Sequence, residues 1–340
     1  MTQVQTFELG DFELQRGRVL PEARLTFATY GELAPDRANV ILYPTSYGAQ
    51  HTDTSWLIGE DRILDPSRWF IVIPNMFTNG LSTSPSNCVP ALRGGRWPDV
   101  THVDNARAQH RLLLEHFGVE RVAMVYGWSM GAQQALHWGA LYPDAVERIV
   151  AVCGTARTSP HNLRFIDGVK AALQGDPTWR NGYFDGPAGQ GLRAMGRVYA
   201  SWAMSQAFYR DERWRAFGAM SVEDFVVRFW EANFLRRDAN DLLAQFRTWE
   251  LSDVSANDRF NGDLDAALAA IKAPTLMMPG RTDLYFTPGD IASECERMPN
   301  ARLVPLESDF GHRAGNPTHN PLDEAVLRDA VRGLLNDATV

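Results

Sequence analysis

The residues best suited to covalent chemistry form the run Gly127-Trp128-Ser129-Met130-Gly131, which has the pattern G-x-S-x-G. The run lies between VAMVYG, typical of a buried strand, and GAQQALHW, typical of a helix. A serine on so tight a strand-to-helix turn, a nucleophile elbow, is pushed clear of the sheet, and the turn needs residues without bulk on either side. The pattern predicts Ser129 as the nucleophile of an acyl-transfer reaction. The alternative is a glycine-rich turn with an incidental serine.

A serine hydroxyl is a poor nucleophile at neutral pH and needs a positioned base. In folds built around this turn, an acid and then a histidine follow the serine along the chain. Two of the eight histidines, His312 and His319, lie beyond the late strand-like runs. We predict His312 as the base, because it ends the short loop SDFGH after the run RLVPLES, whereas His319 in NPTHNP is typical of a surface loop.

The acid of this triad is expected in the loop after the preceding strand. The run PTLMMPG is followed by RTD, which places Asp283 there, 29 residues before His312 (312 − 283 = 29). A buried carboxylate at that point would hold the imidazole tautomer and stabilise the imidazolium as it forms. Asp290 and Asp309 are the rival candidates, and Asp309 fits a solvated loop charge or a helix cap better.

An oxyanion hole should combine two backbone N–H groups. One is that of Met130, directly after the nucleophile. The other should come from a loop after an earlier strand, and residues 44–48 follow the run NVILY directly. We favour the N–H of Ser46 as this second donor. The alternative is that the loop is an ordinary strand-to-helix connection.

The elements that must position these groups alternate between strand-like and helix-like runs. Most of the strand-like runs are apolar on both faces, which suits a parallel sheet covered by helices on both sides. The strand-like runs are 24–31, 39–45, 69–75, 122–127, 149–154, 274–280 and 302–308, and the clearest helices are 105–118 and 131–142. This alternation predicts a mostly parallel, doubly wound α/β sheet.

Residues 159–262 interrupt the alternation, since they are rich in aromatic residues, arginine and methionine at helical spacing and contain no convincing strand. We predict an all-helical cap over this range, inserted into a core formed by residues 1–158 and 263–340. The clearest amphipathic segment is 221–235. Its aromatic stripes are more typical of core and subunit contacts than of a cofactor site.

Composition excludes several other functions. The formal net charge is −8 and no dense basic run is present, which argues against nucleic acid as a partner. We find no secretory signal and no stretch of apolar residues long enough to cross a membrane. The three cysteines are far apart, which argues against a zinc site and a disulfide framework and favours a cytoplasmic location. No metal-ligand spacing and no nucleotide-binding motif is found.

The chain resembles the homoserine O-acetyltransferase (MetX-like) group of α/β-hydrolase-fold proteins over nearly its full length. The similarity rests on DPSRWFIVIPN, NGLSTSPSN, DNARAQHRLLLEHFG, GWSMGAQQALHW, YPDAVERIV, DPTWRNGYF, RRDANDLL, TDLYFTP and the GH pair. The resemblance implies an α/β-hydrolase fold with a helical cap, a covalent acyl-serine and a homodimer formed through the cap. It places the triad on the same residues, Ser129, Asp283 and His312. It implies no bound cofactor, with acetyl-CoA as a possible co-substrate.

The sequence departs from this group where homoserine would bind. Members that acetylate homoserine usually follow the catalytic histidine with an aspartate that holds the substrate amine, but Arg313 stands here. The arginine that pairs with the substrate carboxylate is expected where Gly196 stands, with Arg197 beside it. A site built for an amine and a carboxylate should not lose both partners and keep that substrate. The candidate substrate contacts are Tyr47, Trp128, Arg197 and Arg313.

Three functions remain open. The first is hydrolysis of a small carboxylic ester or thioester, which the lost homoserine contacts favour. The second is acetyl-CoA-dependent O-acyl transfer to homoserine or another small alcohol through the same acyl-serine. The third is a non-catalytic binding protein, which would be expected to carry a damaged triad or elbow, and the sequence shows neither. The expected partner is a small acyl ester or thioester.

Overall fold

The computed structural model describes residues 3–336 and places their strands in a single eight-stranded sheet. The strands are β1 (Gln3–Glu13), β2 (Val19–Tyr30), β3 (Val40–Leu42), β4 (Phe70–Pro74), β5 (Met124–Trp128), β6 (Ile149–Val152), β7 (Thr275–Met278) and β8 (Ala301–Leu303). Their order across the sheet is β1-β2-β4-β3-β5-β6-β7-β8. Strands β3 to β8 pair in parallel, whereas β1 and β2 are antiparallel to their neighbours.

Helices cover the sheet and fill the long insertion between β6 and β7. The α-helices are α1 (His102–Arg111), α2 (Met130–Leu141), α3 (Pro160–Gln174), α4 (Gly189–Ala203), α5 (Gln206–Arg210), α6 (Val222–Phe225), α7 (Ala232–Leu235), α8 (Ala239–Glu250), α9 (Leu264–Ala269), α10 (Pro288–Cys295) and α11 (Pro321–Asn336). Two π-helical turns, Leu112–His116 and Val226–Glu231, extend α1 and join α6 to α7. Within residues 3–336, no helix combines the length and apolar character needed to cross a lipid bilayer.

The central strands are buried on both faces because helices pack against each side. Along β3, Val40 and Leu42 belong to the cluster that contains residues of α1 and α2, whereas Ile41 lies in the cluster with Leu327 and Val331 of α11. Successive side chains of a strand point to opposite faces, so a strand covered on both faces must be apolar throughout. This explains the continuous apolar runs of the sequence and confirms the predicted doubly wound fold.

The structure differs from the predicted elements at the two edges of the sheet. Strand β1 was not predicted, because only one of its faces is partly buried and a bulge at Gly10 interrupts its pairing with β2. Strand β2 begins at Val19, five residues before the predicted start (24 − 19 = 5). The last strand is only three residues long, since the run 302–308 turns into the loop that carries His312.

The part of the insertion from α3 to α8 contains no strand, as the sequence indicates, and lies over the carboxyl edge of the sheet. Helix α8 packs against the loop after β3, where the ring of Phe246 lies 4.4 Å from that of Tyr47. The backbone N–H of Gly48 donates to Gln245 Oε1 at 2.8 Å. These contacts fix the cap directly above the end of β3.

A buried carboxylate also connects α8 to the core. Asp241 accepts hydrogen bonds from Ser86 N at 2.9 Å and from Ser86 Oγ at 2.6 Å. Burial raises the pKa of Asp241 to about 7, aided by the nearby charge of Asp238. Because its ordinary pKa is 3.8, the unfolded chain loses this proton at a lower pH than the folded protein does. Stability should therefore fall as pH rises through the interval between these two values.

Between about pH 5 and pH 7.5, the free energy of unfolding of wild type should fall by about 2 kcal/mol more than that of Asp241→Asn. The reason is that each pH unit over which the folded and unfolded states differ by one bound proton is worth about 1.4 kcal/mol. The asparagine variant keeps its contacts because the Ser86 hydroxyl can accept from the amide. Chemical denaturation at several pH values measures the difference. An identical pH dependence in the two proteins would contradict this account of Asp241.

Candidate active site

The elbow between β5 and α2 has the backbone that exposes a serine. Ser129 adopts φ +58° and ψ −128°, a strained conformation of the kind found at functional sites. A Cβ on Gly127 would lie 2.1 Å from the backbone oxygen of Gly131, and one on Gly131 would lie 2.7 Å from that of Pro44. The two glycines are therefore required by close approach of the backbone.

This contact predicts a large effect of one methyl group. Gly127→Ala should lower the free energy of unfolding by about 3 kcal/mol, since overpacking against rigid backbone displaces the turn. Ester hydrolysis should fall with it, by about 100-fold or more, because small displacements of a catalytic group are costly. Denaturation curves and initial rates measure the two effects.

Gly168→Ala is the matched control, because the residue sits inside α3 and nothing except its chain neighbours and the helix's own backbone lies within 4 Å of an added Cβ. This change should stabilise the protein by about 0.5–1 kcal/mol and leave the rate unchanged. Wild-type activity in Gly127→Ala would show that the elbow tolerates a side chain.

The side chains of Ser129, His312 and Asp283 form one hydrogen-bonded line. His312 Nε2 lies 2.9 Å from Ser129 Oγ, and Nδ1 lies 2.7 Å from Asp283 Oδ2. An ionised carboxylate only accepts, so the proton belongs on Nδ1 and Nε2 is free to accept from the serine hydroxyl. The other oxygen of Asp283 accepts from the N–H groups of Tyr285 at 2.8 Å and Phe286 at 3.3 Å. This arrangement can deprotonate the serine during attack.

The loops after β7 and β8 hold Asp283 and His312 in place relative to each other. Thr282 Oγ1 donates to the backbone oxygen of Ser308 at 2.9 Å and accepts from Gly311 N at 3.1 Å. The residues next to Asp283 and His312 are therefore bonded to each other. A left-handed φ of +59° at Gly311 lets the chain turn there into the short helix that carries His312.

The rival residues lie outside this line. Asp290 is in the first turn of α10, where its backbone N–H donates at 3.3 Å to the hydroxyl of Thr287, the residue that caps the helix. Asp309 pairs with Arg281 at 3.3 Å. His319 is exposed, and its ring lies 4.3 Å from that of Phe217.

The predicted oxyanion donors flank Ser129. Met130 is the first residue of α2, and the first N–H groups of a helix have no partner within the helix. Among the described residues, the N–H groups of Ser46 and Tyr47 donate to no protein acceptor. The Ser46 hydroxyl donates to the backbone oxygen of Trp128, which ties this loop to the elbow. The Ser46 and Met130 amides thus remain our candidates for the oxyanion hole.

Ser129 and His312 open into a cavity of about 280 Å³ between the sheet and the cap. Its walls combine the β3 loop, the elbow, the His312 loop and helices of the cap. It is lined by Ser46, Tyr47, Gly48, Ala49, Asp53, Trp128, Ser129, Tyr199, Ala203, Phe229, Trp230, Asn233, Phe234, Arg236, His312, Arg313, Asn316 and Thr318. A larger cavity of about 810 Å³ lies between the segment around Gly94 and α8, and none of the three triad residues lines it.

Three of the four predicted substrate contacts line the cavity: Tyr47, Trp128 and Arg313. Trp128 also supports His312, since its ring stacks on that of His312 at 5.1 Å and its Nε1 donates to the His312 backbone oxygen at 3.3 Å. Tyr47 stacks on Phe246 and donates its hydroxyl to the Leu242 backbone oxygen at 3.3 Å. These rings form a rigid apolar wall beside Ser129.

Arg197 does not reach the site. It is about half exposed and pairs with Glu223 at 2.5 Å and Glu231 at 2.7 Å. The positions of α4 that line the cavity are Tyr199 and Ala203, which are four residues apart and share one face. Arg197 lies two residues before Tyr199, about 200° away around the helix. The expectation that it contacts the substrate is therefore corrected.

Sequence reasoning missed the cap residues of the cavity, Tyr199, Trp230 and Phe234. They lie on different helices, and the aromatic pattern of the cap does not indicate which rings face Ser129. It also missed Cys153, whose thiol lies close to Asp283 and His312. Ligand atoms of these three residues lie within 4.8 Å of one another.

This cluster has the residue types of a metal site but not its chemistry. Burial and the neighbouring Asp283 carboxylate raise the pKa of the Cys153 thiol well above its usual value, and a metal needs the thiolate. Asp283 and His312 already bond to each other. We therefore interpret the cluster as the hydrogen-bonded pair Asp283 and His312, with the Cys153 thiol packed against the Asp283 carboxylate.

Comparison with known proteins agrees with this geometry. The sequence model of the alpha/beta hydrolase fold family matches residues 54–314. This chain belongs to that family. It is 39% identical over 311 residues to an ethyl acetate hydrolase of Pseudomonas veronii, with 91% of this chain and 88% of that protein covered. It is 31% identical over 315 residues to a homoserine O-acetyltransferase of Geobacter sulfurreducens, with 84% of each chain covered.

A solved structure of the acetyl esterase MekB superposes with a TM-score of 0.94 at 37% identity, covering 98% of this chain and 96% of that one. The resemblance to the homoserine O-acetyltransferase group is confirmed. Esterases are also similar to this chain in sequence and in fold. The protein is an enzyme of the alpha/beta hydrolase fold family that catalyses serine-dependent acyl transfer, as the sequence predicts.

Proposed function

We propose that this alpha/beta hydrolase is an esterase that cleaves a small carboxylic ester or thioester through an acyl group on Ser129. The observation that carries the proposal is the bonded line from Ser129 through His312 to Asp283, which opens into a cavity lined by the cap. Ser129 attacks the carbonyl carbon while His312 Nε2 takes its proton. The N–H groups of Ser46 and Met130 stabilise the oxyanion, and His312 then protonates the departing alcohol.

Water completes the cycle in this proposal. With the alcohol gone, His312 Nε2 accepts a proton from a water molecule that attacks the acyl carbon, and the same proton returns to Ser129 Oγ as the acid leaves. Asp283 keeps the imidazole aligned and stabilises its charged form in both halves. The protein's own residues supply every proton transfer, so the reaction requires no cofactor.

The absence of homoserine contacts favours water as the acceptor. Arg197 points away from the cavity, and a Cβ on Gly196 would lie 3.2 Å from backbone atoms of Glu231, so a side chain at 196 would crowd that backbone. Arg313 replaces the acidic residue that would hold the amine and repels a cation instead. A free amino acid therefore lacks both of its expected partners.

The size of the cavity predicts a short acyl group. With p-nitrophenyl esters from acetate to octanoate, kcat/KM should be highest for the shortest chains and fall by about 100-fold or more at octanoate, because drug-sized ligands need cavities of about 300–1,000 Å³. The walls formed by Tyr47, Tyr199 and Phe234 are close-packed and do not yield easily. A rate that rises steadily with chain length would contradict the assignment of this cavity as the acyl site.

The alternative is acetyl-CoA-dependent O-acyl transfer, favoured by the similarity to homoserine O-acetyltransferase. The test is to supply an acetyl ester or acetyl-CoA with and without homoserine and to measure acetate and O-acetylhomoserine. We expect acetate release to be unaffected by homoserine and the transfer product to be absent. Acyl transfer to homoserine at a rate comparable with ester hydrolysis would replace the esterase proposal with the transferase.

We further propose that the protein is a cytoplasmic homodimer formed through the cap. Exposed apolar side chains on the cap, Met220, Val222 and Leu235, support a contact surface there. The free cysteines Cys88 and Cys153 fit a reducing compartment. Sedimentation of wild type and Met220→Glu tests the dimer, with the variant expected to be the monomer. Equal dimer content in both proteins would show that the interface does not include the cap surface around Met220.

A further inference from the structure

Arg313 places a guanidinium in the active-site cavity without an anionic partner. It is the residue after His312, in the short helix Gly311–Gly315, and it lines the same cavity as Ser129. Its Cζ lies 5.7 Å from the ring centroid of Trp128 and 5.3 Å from that of Phe229. Protein thus surrounds the side chain on most sides while part of it stays open to the cavity.

Protein groups satisfy little of its hydrogen-bonding capacity. Nη2 donates to Thr318 Oγ1 at 3.1 Å, whereas Nε is buried without a partner among the described residues. No carboxylate of residues 3–336 lies within ion-pair distance of Arg313. Burial lowers its pKa to about 10, so the group still carries its charge at neutral pH. A desolvated charge with one neutral partner is costly and is normally retained only when something pairs with it.

The other charges of the cavity do not compensate it. Asp53 is the acidic residue of the lining, and its oxygens already pair with Arg236 at 3.2 Å and Arg237 at 2.5 Å. The cavity therefore has a surplus of positive charge. Contact with two aromatic faces offsets part of the desolvation cost but fixes the guanidinium in place rather than neutralising it.

We propose that Arg313 binds a carboxylate of the substrate, so that the preferred ester is an anion with its carboxylate a few bonds from the ester group. This inference rests on the esterase function proposed above and names its substrate class. The carboxylate could belong to the acyl half, as in a monoester of a dicarboxylic acid, or to the alcohol half, as in the ester of a hydroxy acid. A planar guanidinium held between two rings is preorganised for such a partner.

Matched substrates of equal shape separate charge from size. For the acyl half, the pair is p-nitrophenyl monosuccinate and p-nitrophenyl isocaproate, in which an isopropyl group replaces the carboxylate. For the alcohol half, the pair is β-acetoxypropanoate and isopentyl acetate. The ratio of kcat/KM for the anionic ester over its neutral counterpart should fall by about 10- to 100-fold in Arg313→Gln, in one of the two pairs, since hydrogen bonds between charged groups are worth about 1.5–3 kcal/mol.

Two further variants exclude a purely structural role. Arg313→Lys keeps the charge and should retain part of the preference. Arg228→Gln removes an exposed arginine next to Phe229 that lies outside the cavity lining, and it should leave the ratio unchanged. If Arg313 only braces the His312 loop, Arg313→Gln will slow both members of each pair equally. An unchanged ratio in both pairs overturns the proposal.

Binding provides a readout that does not depend on turnover. In a Ser129→Ala background, titration calorimetry should show that β-acetoxypropanoate or monoethyl succinate binds about tenfold or more weakly when Arg313→Gln is added. If wild type hydrolyses neither neutral nor anionic esters, the esterase proposal fails, while this titration still decides the role of Arg313. Equal affinities with and without the arginine would contradict the carboxylate site.

Discussion

Ser129→Ala is expected to lower kcat/KM for p-nitrophenyl acetate by about 10⁴-fold or more, since removal of the nucleophile leaves only binding and the oxyanion donors. The structure supports so large an effect because Ser129 Oγ is the hydroxyl within reach of His312 Nε2, at 2.9 Å. The missing oxygen leaves only a small gap beside the ring, so the variant should fold as wild type. Steady-state rates and thermal unfolding measure the two properties.

The matched control is Ser67→Ala, an exposed serine in the turn that precedes β4 at the amino edge of the sheet. It removes the same oxygen far from the carboxyl edge and should leave the rate unchanged. Residual activity in Ser129→Ala within tenfold of wild type would remove Ser129 from the mechanism. It would also favour the alternative that the elbow is a glycine-rich turn with an incidental serine.

Asp283→Asn is expected to lower kcat by about 10³- to 10⁴-fold, the effect of presenting the imidazole with the wrong partner. One carboxylate oxygen accepts from His312 Nδ1 and the other from the N–H groups of Tyr285 and Phe286. The asparagine oxygen can satisfy the backbone donors, which turns its NH₂ group towards Nδ1. The imidazole must then carry its proton on Nε2 and cannot accept from Ser129.

Asp290→Asn tests the acid that sequence alone leaves as a rival. Its side chain lies in the first turn of α10, away from His312, and its removal should cost less than tenfold in kcat. Both variants keep side-chain shape, so their difference isolates the role of the carboxylate. A larger loss in Asp290→Asn than in Asp283→Asn would contradict the geometry of the triad.

The sequence best predicts the features that follow from the order of strands and loops along the chain. Ser129, Asp283 and His312 each follow a strand of the parallel sheet, and the carboxyl ends of parallel strands meet at one edge. Local signals are therefore sufficient to predict that these three residues meet. The signals are the glycine pair around Ser129 and the short loops that precede Asp283 and His312. The doubly wound sheet is likewise predictable, because strands covered by helices on both faces appear in the sequence as continuous apolar runs.

The sequence predicts poorly which side chains of the cap face the cavity, because that depends on how the cap helices pack. Arg197 and Tyr199 are two residues apart on α4, yet one faces solvent and the other the cavity. No local pattern distinguishes these faces, because both carry large side chains. Likewise, Arg313 was recognisable from its position, but its lack of an anion depends on the distant Asp53 pairing with Arg236 and Arg237.

Covalent chemistry at Ser129 is tested most directly by mass spectrometry of the enzyme quenched during turnover of p-nitrophenyl acetate. We predict that one acetyl group appears on the peptide that contains Ser129, that it is absent in Ser129→Ala, and that it is released as acetate when the ester is exhausted. Turnover without any acylated serine, or an acetyl group carried by Cys153 or Tyr47 instead, would contradict this prediction.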